Sequence, residues 1–312
     1  MDRREFFATS AAAAVTGIAA AATPSAATPS AASSAAAREP TRRVVPHFGY
    51  AAITWGGDDV QAIDDIAAVG YRGIQLRASA VTRWGANPAV LRQRLADRAL
   101  TFAALSSGSV TIEPAGMQEN MALHLRHAAF LRDAGGLYLQ VVDERPQGRR
   151  PTADDFQRMG ERLSEIGRRV SEFGVALGYH NHMGNLGQAP DEVARVLEAA
   201  DPRYVRLELD TAHYQAAGGN PVDAIRQHAD RLLFLHLKDV QQPVPGRPAN
   251  AYRFVELGEG RVPLVAVLAE LARIRFDGWA IVELDGVPDP ARTPRDCARI
   301  SKHFLESHGY TV

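Results

Sequence analysis

Cysteine is nearly absent, with one residue, Cys297, in a chain of 312. A lone cysteine excludes an intrachain disulfide framework and any multi-cysteine zinc cluster, so a bound metal would have to rest on histidine and carboxylate. Cys297 lies in a polar, helix-like stretch with nothing nearby in sequence to activate a thiolate, and reads as structural. An excess of either charge is missing too. The 35 Lys+Arg stand against 36 Asp+Glu, which leaves no global field to hold a polyanion, so no nucleic acid partner is expected. After the N-terminal stretch, no segment approaches ~18 uninterrupted apolar residues, so no membrane span is expected in the mature form. No strand-like run leads into GxGxxG or a phosphate-loop motif, which argues against a doubly wound nucleotide-binding sheet.

What is present begins with an unusual first forty residues, MDRREFFATSAAAAVTGIAAAATPSAATPSAASSAAAREP. They combine a short basic region, a weakly apolar Ala-rich region and small-residue cleavage options such as Ser25-Ala26-Ala27. Arg3-Arg4 followed by Phe6 and Phe7 resembles a twin-arginine export signal. Residues 1–40 are therefore expected to be a signal peptide and Ala/Ser/Pro-rich linker handled by the twin-arginine export machinery, with the protein periplasmic or secreted. That route moves folded proteins, as such signals imply, which suits an enzyme that acquires its metal before export. No cysteine stands at the cleavage region to carry a lipid anchor. Removing the stretch leaves about 270 residues, the size of one barrel domain of ~250.

From His47 onward, short apolar β-type runs alternate with longer segments of helical period. Eight strands are expected: HFGYAAI from His47, GIQLR from Gly73, LTFAALSS from Leu100, LYLQVVD from Leu137, VALGYHNH from Val175, VRLELD from Val205, LLFLHLKD from Leu232 and WAIVELD from Trp279. The segments between them, for example FQRMGERLSEIGRRVSEF, repeat apolar residues at three and four positions and so have one face to lay on a sheet. Gly70, Gly135, Gly174 and Gly278 stand where helix C-caps are expected. The fold expected over 45–312 is α/β, a single (β/α)₈ TIM barrel.

In such a barrel, chemistry sits at the C-terminal strand ends. Here the fifth strand ends in Tyr179-His180-Asn181-His182, the sixth in Glu208-Leu209-Asp210 followed by His213, the seventh in His236-Leu237-Lys238-Asp239, and the eighth in Glu283-Leu284-Asp285. Strand alternation puts His180 with His182, Glu208 with Asp210, and His236 with Lys238 on common faces. A mixed set of imidazole and carboxylate suits Mn²⁺, Co²⁺ or Zn²⁺ better than Mg²⁺ or Ca²⁺. Lys238 has two readings, an enolate stabiliser or acid/base if burial lowers its pKa, and a surface lysine paired with Asp239. His124, His127, His228, His303 and His308 sit in helix-like segments and read as structural. Tyr50, Trp55 and Trp84, near the first strand ends, are candidates to stack on a sugar ring.

These residues resemble the xylose-isomerase-like barrel superfamily, in its sugar phosphate isomerase/epimerase group, which also takes in inosose dehydratases and endonuclease-IV-type repair enzymes. The segments that carry the resemblance are AAVGYRGIQLR, YHNH, LELDTAHYQAAGGNPV, DRLLFLHLKDV, VELGEGRVPL and DGWAIVELD. It implies a divalent metal held by two glutamates, an aspartate and a histidine. Asp210, His236 and Glu283 fall on three of those positions, and His213 on the histidine of the Asp-x-x-His motif that contacts substrate. The fourth position, normally glutamate, is His180, with His182 the alternative ligand. Two imidazoles in place of a second glutamate favour one-base chemistry over a symmetric epimerase mechanism. Gln75 also departs from the glutamate that ends the second strand in many relatives; as an amide it is expected to bond a hydroxyl or water.

The function expected is a metal-dependent sugar isomerase or epimerase that removes a proton next to a carbonyl and passes through an enediolate. Dehydration of an inosose or 3-keto-glycoside is the lyase alternative on the same site. A non-catalytic periplasmic sugar-binding barrel is the alternative of another class. Glu283 and His182 are the candidates for proton transfer, with Lys238 or His213 holding substrate oxygens. Phosphorylated sugars are scarce outside the cytoplasm, so the small-molecule substrate expected is a free sugar, keto-sugar or cyclitol. The strand-seven segment QQPVPGRPANAYRF has the composition of a lid or an interface arm.

Overall fold

The computed structural model describes residues 45–248 and 251–312. The export signal and linker read from residues 1–40 lie outside the described residues.

Ten strands are described: β1 (His47–Ala51), β2 (Gly73–Arg77), β3 (Thr101–Val110), β4 (Tyr138–Asp143), β5 (Ala176–His180), β6 (Val205–Asp210), β7 (Leu232–Leu237), β8 (Asp239–Gln241), β9 (Arg253–Val255) and β10 (Trp279–Val282). Eight of them close a parallel barrel in the order β1-β2-β3-β4-β5-β6-β7-β10, with β10 pairing back to β1. The helices are α1 (Asp59–Val69), α2 (Ser79–Trp84), α3 (Pro88–Ala96), α4 (Met117–Asp133), α5 (Ala153–Ser171), α6 (Pro190–Ala199), α7 (Thr211–Ala216), α8 (Pro221–Gln227), α9 (Leu264–Arg273) and α10 (Pro294–Ser307). This is a single (β/α)₈ TIM barrel, as expected.

Local sequence explains the longer helices. In α5, Phe156, Met159, Leu163, Ile166 and Val170 are buried at helical spacing, each contributing about 2 kcal/mol of apolar burial, and Thr152 with Asp155 forms the capping box at its start. Gly70 closes α1 with a left-handed φ of 106°, and Gly135 and Gly174 also have positive φ. Gly278 does not close α9; the left-handed position there belongs to Arg275, with φ 57°. The helix simply stops one turn earlier than the glycine suggests.

Strand alternation sorts the barrel into two sides. Leu207 and Leu209 of β6 belong to the core under the helices, while Glu208 and Asp210 have the opposite parity and face the lumen. Tyr50 of β1 shares the outward parity and is fully buried, edge-on to Trp55 (5.7 Å) and Tyr71 (5.3 Å). Trp55 donates its indole N–H to Asp65 of α1 (3.0 Å), and Trp84 is buried in the same core. The three aromatics read as sugar platforms are therefore part of the strand-to-helix packing, because parity sends Tyr50 outward and α1 holds Trp55.

Two features have too short a period to be read from sequence. The six residues of α7 hang from the end of β6. The strand-seven segment, whose composition suits a lid or an interface arm, begins and ends in an antiparallel pair, β8 with β9. Asp239 secures this region. Its buried carboxylate accepts from the backbone N–H groups of Val240 (2.8 Å), Gly258 (3.0 Å), Gly260 (3.0 Å) and Val262 (2.9 Å). Asp239→Ala strands three N–H groups far along the chain and is expected to destabilise the protein by about 3 kcal/mol in urea denaturation. A loss below about 1 kcal/mol would show that the loop stands without this anchor.

Candidate metal centre

The four strand ends of the second half converge. His180 ends β5, Asp210 ends β6, His236 lies in β7, and Glu283 follows β10 directly. Register pairs Asp210 with His236 across the β6–β7 ladder. Two side-chain clamps hold these ends in line. The Asn181 amide accepts from Asp210 N–H (2.9 Å) and donates to Asp210 C=O (3.3 Å), and the Thr211 hydroxyl donates to Lys238 C=O (2.7 Å) while accepting its N–H (3.0 Å).

One ligand atom from each of His180, Asp210, His236 and Glu283 lies within 4.8 Å of the others. All four residues are buried. His180 Nδ1, Asp210 Oδ2 and His236 Nδ1 have no hydrogen-bond partner there. His236 Nδ1 is 3.3 Å from Glu283 Oε1 and 3.6 Å from Asp210 Oδ2. A buried polar atom without a partner costs about 1–3 kcal/mol, so three of them on residues whose ligand atoms converge mark a site that a cation would complete. The donor set is two imidazoles and two carboxylates, which fits a divalent transition ion. The second oxygen of Asp210 has another use. Oδ1 accepts from Ala212 N–H and His213 N–H, both 2.8 Å, and so caps α7 and sets the position of His213.

Electrostatics matches this geometry. Burial drives the His180 pKa well below its ordinary value, and the neighbouring His236 adds to that, so its ring is neutral with a free lone pair. Burial alone would lower the His236 pKa, but Glu208 and Glu283 outweigh it and hold it well above the usual value. Burial would raise the Asp210 pKa; the neighbouring His213, the Lys238 ammonium and the His236 hydrogen bond outweigh it and hold it well below the carboxylate range.

His182 lies outside the four. It is half-buried, donates from Nδ1 to Met183 C=O (2.7 Å), and stands 3.9 Å from the His213 ring, which leaves Nε2 as its basic nitrogen. Of the two candidate ligands on the fifth strand, His180 is the one grouped with Asp210, His236 and Glu283. Burial pushes the His213 pKa down to about 2, so it is a neutral ring beside the cationic Lys238 (3.3 Å).

Lys238 differs from both of its readings. It is fully buried and not paired with Asp239, whose oxygens are taken by the loop. Burial alone would lower its pKa, but Glu283 (3.0 Å), Asp210 (3.9 Å) and Asp285 (2.6 Å) raise it, so it is a fixed ammonium and not a base. Its ammonium also sits 4.0 Å from the centre of the Phe254 ring, which β9 folds back over His213.

A second polar layer lies one pleat lower. Gln75 accepts from His236 Nε2 (2.9 Å) and donates to Gln140 (3.5 Å), so it serves the histidine and not a hydroxyl or water. Glu208 Oε1 is 2.7 Å from the same Nε2. Parity had put Glu208 on the lumen face without assigning it a role, and Asp285 was named at the end of the eighth strand, also without one; Gln140 and Phe254 carried no sequence signal. His124 and His127, read as structural, both bond the buried Ser107 hydroxyl, at 2.7 Å and 2.9 Å, on the helix side of β3.

Fold and site together define a parallel barrel with a buried His/Asp/His/Glu metal-binding group at its strand ends. Residues 63–305 match the xylose isomerase-like TIM barrel family, and the chain belongs to it. An inosose dehydratase of Bacillus licheniformis is 27% identical over 295 residues, covering 84% of this chain and 95% of its own length. One from Lacticaseibacillus casei is 27% identical over 302 residues, covering 85% and 97%. Among solved structures, the IolI protein with a bound zinc atom superposes with a TM-score of 0.72 at 17% identity, over 84% of this chain and 97% of that one. An L-ribulose 3-epimerase gives 0.69 at 17% identity, over 84% and 94%.

Loaded with Mn²⁺, Co²⁺ or Zn²⁺, the purified protein is expected to hold about one ion per chain by elemental analysis, and the Asp210→Ala/His236→Ala variant none. His180→Ala should weaken binding at least about tenfold, whereas His182→Ala leaves it unchanged. Retained metal in His180→Ala with loss in His182→Ala would exchange the two assignments.

Proposed function

We propose that this protein is a metal-dependent enzyme that removes a proton next to the carbonyl of a cyclitol ketone or keto-sugar and then expels water. The observation that carries this reading is the asymmetry of the site. Glu283 is one carboxylate, ion-paired to a fixed ammonium, and on the fifth strand a neutral imidazole faces it where a second carboxylate would make the site symmetric. Epimerisation by two bases needs matched groups on both faces of the substrate. Elimination needs two unlike groups, a base for the C–H and an acid for the departing hydroxyl.

A bound divalent cation would polarise the substrate carbonyl and stabilise the charge that develops on its oxygen. His180, Asp210, His236 and Glu283 would hold it. His182, through Nε2, takes or returns the proton, and its Nδ1–H on Met183 C=O keeps the ring oriented for that exchange. Lys238 supplies a positive charge that does not titrate in the working range, suited to an anionic oxygen of the reacting substrate. His213, neutral and capped into place by Asp210, offers a hydrogen bond to a substrate hydroxyl.

The named relatives support the dehydratase ending, and a zinc-bearing neighbour of the same fold supports the metal. Isomerisation or epimerisation is the second reading, favoured by the His182–His213 contact, which puts a second imidazole within 3.9 Å of the first as an alternative proton carrier. The N-terminal arginine pair supports export to the periplasm or beyond, and hence an unphosphorylated substrate.

In D₂O, the metal-loaded protein is expected to exchange the C–H next to the carbonyl of an inosose or 3-keto-glycoside and to release water, followed by NMR. His182→Ala should slow exchange by about 10²–10⁴ while keeping its metal. Exchange with return of substrate or its epimer, without water loss, would replace elimination with the second reading. Binding without any exchange would leave a sugar-binding barrel.

A further inference from the structure

We infer that Glu208 is a positioning residue for the metal centre: it holds the proton of His236 on Nε2 and so keeps Nδ1 turned to the ion. The inference rests on the reading that His180, Asp210, His236 and Glu283 bind a divalent metal.

Glu208 is fully buried in the lumen, one pleat below Asp210. Its Oε1 lies 2.7 Å from His236 Nε2, while the other ring nitrogen of His236 faces Glu283 and Asp210. An imidazole flanked on one edge by acceptors, Glu208 and Gln75, carries its hydrogen there, which leaves the lone pair of Nδ1 for the opposite edge. A carboxylate at that place also raises the donor strength of the ligating nitrogen.

The carboxylate is expensive where it stands. Neither oxygen of Glu208 is satisfied by an aligned hydrogen bond, and its ion-pair partner among the described residues is His236, at 2.7 Å. Removing one partner of a buried pair leaves the other uncompensated, so Glu208 and His236 are held together by their mutual contact. The layer is closely packed: at Gly178 of β5 a Cβ would come within 2.6 Å of the Phe234 ring and 3.5 Å of Glu208 Cβ.

The test compares wild type, Glu208→Gln and Glu208→Asp. Affinity for Zn²⁺ is measured by chelator competition, melting temperature on metal-free protein, and the state of His236 by ¹⁵N NMR of the Zn²⁺-loaded form. Glu208→Gln is expected to bind Zn²⁺ about 10- to 100-fold more weakly than wild type. Glu208→Asp, which keeps the charge but withdraws it by one methylene, should fall between them and stands in if the glutamine variant fails to fold. Wild type should show His236 protonated at Nε2 and ligated through Nδ1.

Zn²⁺ binding by Glu208→Gln within threefold of wild type overturns the role of Glu208 while leaving the metal site intact. Failure of wild type itself to bind Zn²⁺ overturns the metal reading and this inference with it. If affinity and metal-free stability fall together, the His236 spectrum decides. A mixed tautomer in the variant supports positioning, and an unchanged Nε2–H makes Glu208 only structural.

Discussion

Concentrated charge out of water is the constraint on which the barrel mouth depends. Asp210, Glu283 and Glu208 lie within a few ångströms of Lys238 and His236, all of them buried. No such cluster survives unless every charge has a neighbour of opposite sign or a hydrogen-bond donor. Lys238 answers Glu283 and Asp285; the N–H groups of α7 answer one oxygen of Asp210. Among the atoms left over, His180 Nδ1, Asp210 Oδ2 and His236 Nδ1 belong to residues whose ligand atoms converge within 4.8 Å, a remainder that suits a cation.

Holding those atoms still is the work of the strand ends. Asn181 ties β5 to β6, and Thr211 ties β6 to β7, each through the backbone of the next ligand-bearing strand. Such stitches matter because the ligand atoms come from strands separated by tens of residues, and rigid positioning is what a metal site and a proton transfer both require. Further out, Asp239 fastens the loop after β9, and β9 in turn lays Phe254 against Lys238 and His213. A buried acid thus supports the wall of the site from outside it.

Much of the site was legible because strand parity is a property of spacing alone. Asp210, His236 and Glu283 stand at the ends of runs whose alternation is plain, and their convergence follows once the strands are parallel and closed. The choice between His180 and His182 was not legible, since both have inward parity. It turns on where β5 ends and the chain bends away, which carries His182 over to His213. Lys238 looked open to a lowered pKa because burial is visible in an apolar run, whereas two of the three acids that reverse its effect follow a strand forty-odd residues later. Gln75 was expected to bond a hydroxyl or water, and its partner His236 stands 161 residues away in sequence. Tyr50 was misplaced for a simpler reason: nearness to a strand end does not decide the side of the sheet on which a ring lies.

The sequence by itself determined the barrel and the identity of the chemical groups at its strand ends. Those follow from local periodicity and residue chemistry, which act over a few positions. Tertiary structure decided which atoms of those residues meet, which charges cancel and which do not, and that Glu208 and Gln75 form a floor beneath His236. Electrostatic energy between buried groups depends on distance and on the loss of water around them, and neither is set until the chain has closed.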